Sequence, residues 1–107
     1  MKGYQITFFT VQDHHHQHKP MAEWLLQTAR DLGLSGATIM AASEGYGHHR
    51  RLHSAHFFEL ADQPQDVVMA ATEEECERLF EFLRKEGVRL FYVKSEVEFG
   101  TLGESEQ

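Results

Sequence analysis

VVMAATEEECERLFEFLRKEGVRLFYVKSEVEF, from Val67 to Phe99, reads as one strand, one helix and a second strand. Val67-Val68-Met69-Ala70-Ala71 is a short unbroken apolar run, introduced by Pro64, of the kind a buried strand shows. Thr72 and Glu75 stand at capping-box spacing, so hydroxyl and carboxylate can each accept a hydrogen bond from a free amide of the first helical turn. Glu73 to Glu75 suit the positive end of the helix dipole, and Arg84 and Lys85 suit the negative end. Cys76, Leu79, Phe80 and Leu83 recur at helical spacing, and Gly87 supplies the stop. The strand from Val88 to Phe99 changes apolar parity, from Val88, Leu90 and Tyr92 to Phe91, Val93, Val97 and Phe99, which predicts a bulge or bend near Phe91.

The same order precedes it. Gly3 to Val11 alternates, with Tyr4, Ile6 and Phe8 on one face and Gln5, Thr7, Phe9 and Val11 on the other. Gln12 to Lys19, QDHHHQHK, has no apolar residue and is expected to be a surface loop. Pro20 fits the first turn of a helix whose stripe is Met21, Trp24, Leu25, Thr28, Ala29 and Leu32, ending at Gly33. Ala37 to Ala42 is the next strand. Two right-handed βαβ halves in succession define an α+β, ferredoxin-like βαββαβ sandwich, an antiparallel sheet with both helices on one face. Nothing in the chain then covers the other face, where Phe9, Val11 and Phe91 would form an apolar patch, so self-association is expected.

One domain, residues 1–100, is expected for 107 residues, with 101–107 a flexible acidic tail. No apolar run approaches the ~20 residues of a membrane span, and no apolar segment follows Lys2 as in a signal peptide, so a cytoplasmic location is expected. A single cysteine, Cys76, excludes an internal disulfide and a thiolate zinc cluster, and its place on the apolar stripe marks it as an inert buried thiol. The net charge of −7 argues against nucleic acid as a partner. All 8 histidines fall in two clusters.

Chemistry concentrates in the connection from Glu44 to Gln65. Gly45-Tyr46-Gly47 with Arg50 and Arg51 can cradle a small anion, because glycines let the backbone approach and guanidinium forks match carboxylate or phosphate oxygens. The plainer reading is a flexible turn with a solvated charge pair. His48, His49, His53 and His56 could ligate a divalent metal, as could His14, His16 and His18 with His15 and Asp13 beside them, or all could be solvated surface side chains. No nucleophile–base pair or fixed carboxylate pair stands out, so an enzyme is not expected.

Pro20-Met21 before a helix, ARDLGLSGAT from Ala29 to Thr38, Glu44-Gly45-Tyr46-Gly47, and Arg51-Leu52-His53-Ser54 together resemble the PII-like family catalogued as domain of unknown function 190. That family is distantly similar to the PII nitrogen-signalling proteins. The resemblance implies a trimer whose lateral clefts bind adenine nucleotides and whose long loop, here about 44–65, controls a partner such as a membrane transporter. It matches Gly45-Tyr46-Gly47 to the turn where backbone amides approach the nucleotide and His53 to a recurring Arg-x-His pattern of structural or ligand-contacting residues, while Arg50 and Arg51 join the ligand set through the anion reading above. The phosphate loop of PII proteins has only Lys85 to Arg89 in its place, and Glu96, Glu98 and Glu104 replace their paired arginines. The alternative reading is a trimeric metal-responsive protein that uses the histidine clusters as its sensor.

Overall fold

The computed structural model describes residues 1–41, 44–46, 52–54 and 64–103. Strand β1 (Lys2–Val11) leads through a tight hairpin, β2 (His15–His16) and β3 (Lys19–Pro20), into helix α1 (Met21–Asp31) and then strand β4 (Gly36–Ala41). A small second hairpin, β5 (Glu44–Tyr46) and β6 (Leu52–Ser54), precedes β7 (Pro64–Thr72), helix α2 (Glu73–Glu86) and β8 (Phe91–Glu98). The main sheet has the order β4-β7-β1-β8, and each neighbouring pair is antiparallel. This is the ferredoxin-like arrangement, because each helix returns the chain to a strand two places away on the same face.

The core lies between sheet and helices. Ile6 and Phe8 from β1, Val67, Met69 and Ala71 from β7, Met21, Leu25 and Ala29 from α1, and Cys76, Leu79 and Leu83 from α2 are all buried. Phe80 and Leu32 pack at its margin. Local chemistry sets the helix ends. The Thr72 hydroxyl accepts from the Glu75 amide at 3.2 Å while the Glu75 carboxylate accepts from the Thr72 amide at 2.9 Å. Gly33 and Gly87 close α1 and α2 at φ +76° and +72°, where any other residue would be strained. Thr72→Ala leaves the first-turn amide without its acceptor; a loss of about 1 kcal/mol is expected, read as a fall of about 4–8 °C in thermal midpoint.

Three expectations are corrected. The last strand begins at Phe91 and pairs with β1 in unbroken register from Lys2↔Glu98 to Phe9↔Phe91, so it has no bulge. The parity change arises because Val88 and Leu90 belong to the turn after α2, where both pack against the core. Gln12 to Lys19 is more than a surface loop. Gln17 and His18 both adopt positive φ, 53° and 69°, which is the backbone twist that closes a two-residue hairpin between His16 and Lys19. The connection after β4 also ends earlier than Gln65, since Pro64 and Gln65 are already in β7. In the tail, Thr101 to Gly103 are exposed, and the remaining residues of 101–107 lie outside the described residues.

Among the described residues nothing covers the sheet's second face. Pairing places Phe9, Thr7 and Gln5 of β1 beside Phe91, Val93 and Ser95 of β8, and beside Asp66, Val68 and Ala70 of β7. Phe9 and Phe91 are in ring contact at 5.4 Å. Phe91, Val93 and Met40 are 46%, 50% and 54% exposed, a large apolar exposure for one face of a small domain.

Candidate functional site

One end of the sheet gathers the features that carry chemistry. Ala41, at the end of β4, pairs with Gln65; Val11, at the end of β1, pairs with Pro64; and Phe91, at the start of β8, pairs with Phe9. The β2–β3 hairpin, the connection from β4 to β7, and the turn from α2 into β8 therefore all leave the sheet at this end. Within the long connection, β5 and β6 pair as Glu44↔Ser54, Gly45↔His53 and Tyr46↔Leu52. The ladder thus sets His53 directly across from Gly45, joining two positions that the sequence separates. For Gly45, Tyr46 and His53 the backbone is described; Gly47, His48, His49, Arg50, Arg51 and His56 lie outside the described residues.

The first histidine cluster is drawn into the fold. His14 Nδ1 lies 3.2 Å from the Thr10 hydroxyl, and the His14 carbonyl accepts from the first amide of α1, that of Met21, at 2.6 Å. His15 Nδ1 lies 2.9 Å from the Asp13 carbonyl. His16 Nε2 lies 3.0 Å from a carboxylate oxygen of Glu86, which also accepts from the Gln17 amide at 2.9 Å. The His16 ring also meets Trp24 edge-on at 4.3 Å, and Trp24 stacks on Phe82. These contacts pin the hairpin to the last turn of α2, just before Gly87. Among the described residues no three His, Cys, Asp or Glu side chains are grouped as metal donors. Sequence reading missed the hairpin because its turn lacks the Asn-Gly or Asp-Gly pair that usually marks one.

Burial pushes the Cys76 thiol up; nearby Lys94 opposes this, while Glu77 and Glu73 add to it. The thiolate is disfavoured, which agrees with an inert packing role. Asp66 is also pushed up by burial. It stands on the open face between Phe9 of β1 and Met40 of β4, and an acid just before the apolar run from Val67 is the only trace it leaves in the sequence. A carboxyl whose folded pKa is raised favours the fold most below its unfolded pKa, and that advantage is lost as pH rises through the folded value. Asp66→Asn is therefore expected to raise the thermal midpoint by a few degrees near pH 7 and to leave it unchanged near pH 3. A melting series across that range, wild type against variant, reads the difference.

The chain belongs to the family described as "Uncharacterized ACR" (DUF190), whose model matches residues 3–98. It is 34% identical over 70 residues to a UPF0166 protein of Aquifex aeolicus, covering 65% of this chain and 67% of that protein. Among solved structures it resembles CPII, a nitrogen regulatory PII-like protein from Thiomonas intermedia bound to ADP, AMP and bicarbonate. That match has a TM-score of 0.69 at 18% identity, covering 94% of this chain and 91% of CPII. A PII-like signalling protein from Thermus thermophilus matches with a TM-score of 0.65 at 17% identity, covering 91% of this chain and 88% of that one. The fold is PII-like. Among the described residues no helix is long and apolar enough to cross a membrane.

Proposed function

We propose that this chain is a non-enzymatic, cytoplasmic regulatory protein that assembles as a homotrimer through its open sheet face and binds an adenine nucleotide at the end of the sheet bearing Gly45 and His53. The observation that carries this reading is the PII-like fold shared with CPII, a protein solved with ADP, AMP and bicarbonate. Gly45-Tyr46-Gly47 and Arg50-Arg51 supply the residue types an anionic ligand needs, and the register keeps Gly45 beside His53. Ligand contacts with this segment would shift the population of the connection between β4 and β7 by the difference in affinity for its states, and a protein partner such as a membrane transporter would read that shift.

Calorimetry with ADP and AMP, each with and without bicarbonate, tests the proposal. Saturable binding is expected, weakened roughly tenfold or more by Arg50→Ala or Arg51→Ala, since each removes a charge-assisted bond. Absence of heat with every ligand at about millimolar concentration would end the nucleotide reading.

A further inference from the structure

A hollow lies on the helix side of the sheet, along α2 and β8. Helix α2 leaves the helix-side face of β8 uncovered, and a trough of about 350 Å³ runs between them. That volume lies in the range of small-molecule sites. Its floor is aromatic, formed by Tyr4, Phe80 and Tyr92, with Phe80 and Tyr92 edge to face at 4.9 Å. The Lys94 ammonium sits on this floor, 4.5 Å from the Tyr4 ring centre and 5.5 Å from that of Phe80. Among the described residues it makes no ion pair, although Glu73 and Glu77 line the same trough. The trough's other cation, Arg84, lies 3.6 Å from Glu81. Tyr4 and Glu73 also border an adjoining hollow of about 420 Å³ lined by Lys2, Glu96 and Glu98.

This arrangement selects by charge as well as shape. A polyanion would meet the carboxylates of α2, and a simple cation would meet Lys94 on the rings it needs. A molecule carrying one carboxylate and one ammonium on a flat apolar body satisfies both walls: its carboxylate accepts from Lys94, its ammonium faces Glu73 or Glu77, and its body lies against Tyr92. We infer that the trough between α2 and β8 is a binding site for a zwitterionic, amino-acid-like ligand with an aromatic or similarly flat side group, distinct from the nucleotide site proposed above.

Three probes that share one ring separate the charges: L-phenylalanine carries both, phenylacetate only the anion, and phenethylamine only the cation. Titrated into the full chain and followed by calorimetry and amide chemical shifts, L-phenylalanine is expected to bind saturably and at least tenfold more tightly than either half-probe. Shifts should centre on Tyr4, Tyr92 and Lys94. Lys94→Gln, an exposed change expected to lower the melting temperature by no more than a few degrees and to leave ADP binding as it is, should weaken L-phenylalanine at least tenfold, and Glu77→Gln should weaken it less. No saturable uptake of L-phenylalanine at about 10 mM, binding unaltered in Lys94→Gln, or a half-probe that binds as well as the zwitterion would each overturn the inference.

Discussion

Val93→Glu is expected to dissociate the proposed trimer into single folded chains. Val93 lies on the open sheet face across from Thr7, and at 50% exposure it has ample room for a larger side chain in the monomer. Its replacement should alter the stability of the isolated fold by no more than about 0.5 kcal/mol. In an assembly joined through this face, the new carboxylate would lose its water with no cation to receive it, at an effective cost of several kcal/mol. Association should weaken by at least about a hundredfold, seen as a shift to monomer in sedimentation velocity with an unchanged circular dichroism spectrum. A variant that sediments as the wild type does would remove this face from the interface.

Phe8→Ala should act oppositely, on the fold rather than on assembly. Phe8 is 1% exposed, on the helix side of β1, with Phe80 and Tyr92 in ring contact at 6.0 and 6.2 Å. Truncation removes its buried surface and leaves a cavity that the paired strands on both sides cannot close, so a loss of about 3–5 kcal/mol is expected. That is a large part of the ~5–15 kcal/mol that holds a typical domain. Urea unfolding reads it as a lower midpoint; a loss under about 1 kcal/mol would show that the core does not centre on Phe8. Phe9, one residue on, faces the other side of the sheet, so the two neighbours test different surfaces.

Much of the fold could be read before the structure because local rules agreed with one another. The alternation of Gly3 to Val11, the Met21 to Ala29 stripe, the Thr72–Glu75 box and the two left-handed glycines each have a short-range cause, and each stands where its cause put it. The failures share a different origin. Val88 and Leu90 look like strand residues because the core they meet is remote in sequence. The hairpin at Gln17 and His18 relies on tertiary support from Glu86, 70 residues from His16, which no local pattern announces. Function was less legible still. Glycine and arginine spacing pointed to one end of the sheet, but the pairing of Gly45 with His53 comes only from ladder register. The Lys94 trough depends on where α2 stops covering β8, and the alternation of Tyr92, Lys94 and Glu96 gave no hint of it.

The most direct test of the proposed assembly is native mass spectrometry of the untagged protein, with and without ADP. A particle of three 12.4 kDa chains that takes up nucleotide is expected. A single 12.4 kDa chain at every concentration, bare in the presence of ADP, would contradict both the covered sheet face and the site built upon it.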